Sequence, residues 1–129
     1  MFIMTKKTKI TNNIIKLFNV ARQEASKSNC KKAQVSAIIT DYKLRQIYAK
    51  DHNRNFYGSK SKFSIHAEEG LLSSWRKPLD NKVLFVYRKK ATGIGTSRPC
   101  DKCMKLIKLA RIGHIMYFDK DINLVVERV

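Results

Sequence analysis

Apolar residues in the first part of the chain recur at steps of three and four, the spacing of one face of an α-helix. They are Ile14, Leu17, Phe18, Ala21 and Ala25. Thr11 precedes them, and threonine commonly caps the N-terminus of a helix. The pattern predicts an amphipathic first helix whose apolar stripe covers a sheet.

The pattern then changes to short β-prone runs. Residues 33–40 and 45–50 are two such runs, and the segment 41–43 between them predicts a β-hairpin. The polar stretch 53–62 predicts a loop. Further strands are predicted at residues 83–87, 114–118 and 123–126.

Two more helices are predicted between these strands. The second is expected to begin near His66, behind Ser64 as a candidate cap, and to end at Pro78. Its apolar face is formed by Ala67, Leu71, Leu72 and Trp75.

A turn at residues 91–97 leads to Pro99, which suits the first position of the third helix. The apolar face of this third helix comprises Met104, Ile107 and Ala110, and its solvent face Lys102, Lys105 and Lys108. Because helices alternate with the later strands, we predict an α/β sandwich layered around a mixed sheet.

Composition narrows the class of protein. The 129 residues, 43% of them apolar, suit one domain spanning residues 1–129. No apolar run approaches the length of a membrane span, and residues 1–4 are too short for the apolar part of a secretory signal. We therefore expect a cytoplasmic protein that does not bind membranes.

The formal net charge of +17 would attract the phosphates of nucleotides or nucleic acids. Lysines outnumber arginines and are spread along the chain, so a hydrated basic surface without a nucleic-acid partner explains the charge equally well.

The chemistry-bearing residues form two short segments. One is His66-Ala67-Glu68, and the other, about thirty residues later, is Pro99-Cys100-Asp101-Lys102-Cys103. One imidazole and two thiolates supply three of the four ligands that zinc prefers, which leaves one position for a water molecule of lowered pKa. The alternative is a structural zinc closed by a fourth ligand, for which the candidates are Cys30, His52 and His114.

A carboxylate beside a zinc-bound water can take its proton, pass it to a ring nitrogen of a substrate and then protonate a leaving amino group, which is hydrolytic deamination. Glu68 is the expected proton carrier. The adjacent Glu69 has the same chemistry but the wrong spacing from His66, and we expect it to face solvent.

These two segments resemble the signature of the cytidine deaminase superfamily, His-x-Glu with Pro-Cys-x-x-Cys. The resemblance spans residues 12–118. It implies a three-layer sandwich with a mixed, about five-stranded sheet, one Zn²⁺ per chain held by His66, Cys100 and Cys103, and Glu68 as the proton shuttle. It also implies a hydrolase of amidine carbon–nitrogen bonds, often a homo-oligomer.

By resemblance, Asn53 corresponds to the family's substrate-binding asparagine, with Asn55 as its competitor, and Ala67 to the small residue against the base. Arg98 is a candidate for a substrate phosphate. The favoured substrate is cytidine, deoxycytidine or deoxycytidylate (dCMP).

Two rival functions stay open. A deaminase of single-stranded nucleic acid or tRNA would use basic and aromatic residues near the motif, namely Arg54, Phe56, Tyr57, Lys60, Lys62, Phe63 and Arg98. A non-enzymatic, nucleic-acid-binding module with a structural zinc would not depend on Glu68 and would unfold on chelation.

Overall fold

The computed structural model describes residues 11–30, 32–55, 65–73, 75 and 77–129, together with the backbone of residues 5–7 and 64. Within this part of the chain there are three helices, α1 (Asn12–Ala25), α2 (Ala67–Ser73) and α3 (Asp101–Leu109). The strands are β1 (Thr5–Lys7), β2 (Gln34–Asp41), β3 (Ile47–His52), β4 (Arg54–Asn55), β5 (Ser64–Ile65), β6 (Lys82–Lys90), β7 (Gly93–Ile94), β8 (His114–Phe118) and β9 (Leu124–Arg128).

The central sheet has the strand order β1-β9-β8-β6-β2-β3, and β7 adds a short pairing to the end of β6. It is mixed, because β6 and β8 run parallel while the other pairs are antiparallel. The five predicted strands correspond to β2, β3, β6, β8 and β9, so the predicted α/β sandwich is confirmed. The edge strand β1 comes from an N-terminal segment for which the pattern predicted no element.

Side chains alternate across the sheet and build two apolar layers. On one face, Ile38, Val83 and Phe85 pack with the buried stripe of α1. On the other face, Leu84 and Val86 pack with apolar residues of α2 and α3. The alternation has a period of two because successive residues of a strand point to opposite faces. Both helices that carry the signature residues therefore lie on one side of the sheet.

The first helix and the hairpin match their predictions. The backbone N–H of Ile14 donates to Oγ1 of Thr11, which is the N-cap of α1. In the hairpin, Oδ1 of Asp41 accepts from the backbone of Arg45 and Gln46 at 2.8 and 3.0 Å, which closes the turn between β2 and β3.

Several predicted boundaries were wrong. Ser64 does not cap α2, because it pairs within the two-stranded β4-β5 ribbon and the helix begins at Ala67. Pro99 is not the first helical residue, because Cys100 occupies the N-cap position of α3. Trp75 lies beyond the end of α2 yet still packs against the core.

The turn predicted at 91–97 contains β7, and the loop predicted at 53–62 begins with β4. The rest of that loop, residues 56–62, lies outside the described residues. No helix in the described part of the chain is long and apolar enough to cross a membrane.

Candidate metal centre and adjoining pocket

Three side chains with metal-binding atoms meet where α2 and α3 begin. His66 directly precedes α2, Cys100 is the N-cap of α3, and Cys103 lies in its first turn. Nδ1 of His66 is 3.7 Å from Sγ of Cys100 and 3.4 Å from Sγ of Cys103. The possible ligand atoms of all three residues lie within 4.8 Å of one another.

These distances suit a zinc ion. With Zn–S bonds of about 2.3 Å, Zn–N bonds of about 2.05 Å and a tetrahedral angle, a nitrogen and a sulfur ligand should be about 3.6 Å apart. The two observed separations, 3.4 and 3.7 Å, lie on either side of that value. The donor set is also the mixture of imidazole and thiolate that zinc favours.

The protein surroundings of Cys103 favour its neutral thiol form. Burial, followed by the nearby Glu68 carboxyl and the Cys100 thiol, raises the pKa of the Cys103 thiol well above its ordinary value. Only a thiolate is a good metal ligand, and a bound dication stabilises it directly.

The three candidates for a fourth ligand lie elsewhere. Sγ of Cys30 contacts Oδ1 of Asn55 at 3.4 Å, and Nδ1 of His52 lies 2.7 Å from Oε2 of Glu24. His114 begins β8 and belongs to neither of the metal-binding groups found among the described residues. Within the described chain, the candidate metal-binding group therefore has three members.

Glu68 lies in the first turn of α2 with only 4% of its surface exposed, and it lines the pocket beside the ligands. Burial raises the pKa of its carboxyl, against the opposing effects of backbone hydrogen bonding, His66 and Cys103. A raised pKa makes a carboxyl a better proton acceptor, and a carboxyl that both gains and loses a proton can serve in proton transfer.

Glu69 does more than face solvent. Its Oε1 accepts from the backbone N–H of His66 at 3.2 Å, which is half of a capping box at the start of α2. Its Oε2 lies 2.9 Å from Nζ of Lys102, which stands between the two cysteines on α3. Glu69 therefore links the two helices that carry the metal-binding residues.

A pocket of about 260 Å³ opens beside this cluster. Sites for small molecules typically measure roughly 300–1,000 Å³, so this pocket lies just below that range and has room for a small ligand only. Its walls combine the signature residues with the beginning of β2 and the ends of β3 and β6. The residues that line it are Ala33, Val35, Asn53, Ile65, His66, Ala67, Glu68, Val86, Arg88, Thr96, Ser97, Arg98 and Cys100.

Asn53 and Ala67 both line the pocket, as their expected roles require. The side-chain amide of Asn53 also makes two hydrogen bonds to the backbone near the start of β2. Its Oδ1 accepts from the N–H of Val35 at 2.9 Å, and its Nδ2 donates to the carbonyl of Ala33 at 3.0 Å. Asn55 is outside the pocket lining and exchanges hydrogen bonds with Asn29.

Arg98 lines the pocket but is held by an internal partner. Its Nε and one terminal nitrogen donate to the two carboxylate oxygens of Glu127 at 3.0 and 2.8 Å. The hydroxyl of Tyr117 donates to the same carboxylate at 2.9 Å. A substrate phosphate at Arg98 would have to compete with this buried carboxylate.

Arg88 is a pocket residue that the sequence reasoning missed. It lies near the end of β6 and shares its face of the strand with Val86. Every second residue of a strand points to the same face, so counting on from the buried Leu84 and Val86 would have placed Arg88 on the pocket side of the sheet.

Most of the other proposed basic and aromatic contacts, Phe56, Tyr57, Lys60, Lys62 and Phe63, lie outside the described residues. Arg54 is described, and its guanidinium pairs with Asp51 at 3.2 Å.

Comparison with solved structures identifies the same fold in two deaminases. A dCMP deaminase from the cyanophage S-TIM5 is 24% identical, with 86% of each chain covered and a TM-score of 0.63. A cytidine deaminase from Burkholderia pseudomallei is 14% identical, with 91% of each chain covered and a TM-score of 0.62. No curated protein sequence is significantly similar.

The family model described as the cytidine and deoxycytidylate deaminase zinc-binding region matches residues 11–119. This match includes every element from α1 to β8, and with them both signature segments. The chain therefore belongs to the cytidine and deoxycytidylate deaminase family.

Proposed function

We propose that this chain is a zinc-dependent hydrolytic deaminase that releases ammonia from a cytosine-bearing nucleoside or nucleotide. The observation that carries the proposal is the placement of buried Glu68 in one pocket with His66 and Cys100, whose ligand atoms converge with that of Cys103. The family match supports the reaction class.

His66, Cys100 and Cys103 would hold the metal. When bound, zinc with three protein ligands polarises a water molecule and lowers its pKa toward neutrality. The backbone amides at the start of α3 add a partial positive charge near both sulfurs, which partly offsets the burial that favours the thiol form of Cys103.

Glu68 would move the protons. In the proposed reaction a water oxygen bonds to C4 of cytosine, and the bond from C4 to the exocyclic nitrogen breaks. Glu68 first takes the proton of this water and delivers it to N3 of the ring, and then carries a second proton to the leaving amino group. The products are uracil and ammonia, so atoms and charge balance.

Asn53 and Ala67 would position the substrate. Asn53 is fixed by two hydrogen bonds to backbone, which orients its side chain at the pocket wall. Ala67 is fully buried and its small side chain leaves room for a flat ring against the start of α2.

The test is ammonia release by the zinc-loaded protein from cytidine, deoxycytidine, dCMP, adenosine, guanine and single-stranded oligonucleotides. Turnover of a cytosine monomer, with at least about a 10²-fold loss in Glu68→Gln, is the expected result. Glu69→Gln is the matched control, because it makes the same change at the neighbouring residue and should cost far less. Full activity of Glu68→Gln would refute the assigned role.

A deaminase of single-stranded nucleic acid is the second candidate, favoured by the net charge of +17. It predicts activity on oligonucleotides alone, falling steeply as salt increases. If no substrate reacts while zinc is bound and chelation unfolds the protein, a module with structural zinc becomes the better description.

A further inference from the structure

Arg88 occupies an unusual position for a cationic residue. On β6 it follows Leu84 and Val86 at steps of two, so its side chain leaves the sheet on the same face as those buried residues. Its partner in the register is Val35 of β2, and both residues line the pocket. The alternation therefore places a guanidinium group at the wall of the proposed substrate site.

Within the described part of the chain, no residue is found paired with the charge of Arg88. Its Nε is buried, and it has no hydrogen-bond partner in the structure. None of the ion pairs found among the described residues involves Arg88. A buried donor without a partner is uncommon and points to a missing ligand or water.

Arg98, the other arginine of the pocket, is in the opposite situation. Its guanidinium makes two hydrogen bonds to the buried Glu127, and these bonds raise its pKa and compensate its charge. An anion entering the pocket would gain little from Arg98 unless Glu127 released it. Among the residues that the structure describes, Arg88 has no such counter-charge.

We infer that Arg88 binds the phosphate of a nucleotide, so that the preferred substrate is a cytosine nucleoside monophosphate rather than a free nucleoside. This inference rests on the proposed function. A guanidinium presents several N–H donors in one plane and recognises phosphate through paired, charge-assisted hydrogen bonds. The exposed Thr96, on the loop after β7, lies at the same pocket and adds a hydroxyl.

The experiment measures the discrimination between dCMP and deoxycytidine. Four forms of the zinc-loaded protein are compared: the unmodified chain, Arg88→Met, Arg88→Lys and Lys89→Met. Lys89→Met is the matched control, because it removes one positive charge from the next residue, which is exposed and outside this pocket. Both kcat/KM and calorimetric affinity are determined, the latter in a Glu68→Gln background that prevents turnover.

A lost charge-assisted contact should lower the preference for dCMP over deoxycytidine by about 10- to 100-fold in Arg88→Met. The change should appear in KM and in the affinity more than in kcat. Arg88→Lys should restore part of the preference because it keeps the charge without the planar donors. Lys89→Met should retain the preference of the unmodified chain.

Three results would overturn the inference while leaving the deaminase proposal intact. These are an unchanged preference in Arg88→Met, an equal loss for both substrates, and an equal loss in Lys89→Met. If no cytosine monomer is turned over, the proposed function fails, and the affinities in the Glu68→Gln background still decide the role of Arg88.

Discussion

Replacing Arg98 with methionine should destabilise the protein through the buried Glu127. The Glu127 side chain is 3% exposed, and its two oxygens accept hydrogen bonds from Arg98 and from the Tyr117 hydroxyl. Arg98→Met keeps the Tyr117 contact but leaves the carboxylate without a counter-charge. The substitution thus tests whether the stretch before Cys100 is anchored by an ion pair or by packing.

The expected magnitude follows from the exposure of the two partners. Breaking a fully buried ion pair costs about 3–5 kcal/mol. Because the Arg98 side chain is 40% exposed, water can solvate the abandoned carboxylate in part, and we expect a loss of about 2 kcal/mol in the free energy of unfolding. For a chain of this length, that loss lowers Tm by roughly 7 °C.

The pH dependence separates charge from packing. The hydrogen bonds from Arg98 hold the pKa of Glu127 below its ordinary value of 4.5. The pair therefore contributes fully above that value, and its contribution is lost as the pH falls through the lower pKa of the folded state. The difference between Arg98→Met and the unmodified chain should be largest near neutral pH and should shrink as the pH falls below 4.5.

Urea unfolding followed by circular dichroism across this pH range measures the difference. Arg111→Met is the control, because its partner Asp80 is 3.1 Å away but both side chains are at least half exposed, so the cost should stay below about 0.5 kcal/mol. A loss at Arg98 that is equal at all pH values would refute the charge-based reasoning, and so would a loss no larger than that of the control.

Three further predictions concern the site and its support. Gly70→Ala should lower the free energy of unfolding in urea by about 1–3 kcal/mol, because a Cβ there would lie 2.7 Å from a carboxylate oxygen of Asp51. Gly95→Ala is the control and should cost less, because the nearest atoms to a Cβ there belong to the flexible side chain of Lys90. Asn53→Ala removes two hydrogen bonds to backbone and should lower Tm, at a cost of about 1–3 kcal/mol; an unchanged Tm would contradict this. Cys103→Ser should bind less than one zinc per chain by atomic absorption, and full occupancy would argue against the three-residue site.

Local periodicity was sufficient to predict most of the fold. The stripe of α1 faces one apolar layer and the central strands contribute alternately to two, so their patterns are visible in short windows of sequence. The signature residues were predictable for a different reason, since the spacing from Cys100 to Cys103 spans one helical turn and brings both sulfurs to one end of α3.

The remaining features depend on contacts distant in sequence. The edge strand β1 forms by pairing with β9, at the other end of the chain. Ser64 has the chemistry of a cap, yet pairing with Asn55 extends its backbone and delays the helix. The ion pair of Glu69 likewise depends on Lys102, which lies on another helix. Residue type alone could not reveal any of these three.

The two pocket arginines show which kind of local information is dependable. Arg98 was predicted to bind a substrate phosphate because it adjoins Pro99 in sequence. Its charge is instead compensated by the carboxylate of Glu127, on the last strand of the chain. Arg88 is farther from the motif, yet its side of the sheet follows directly from the alternation of Leu84 and Val86. Periodicity determines where a side chain points, whereas adjacency to a motif leaves its partners undetermined. For a charged residue, the direction of the side chain and the presence of a counter-charge together decide whether it can bind a substrate.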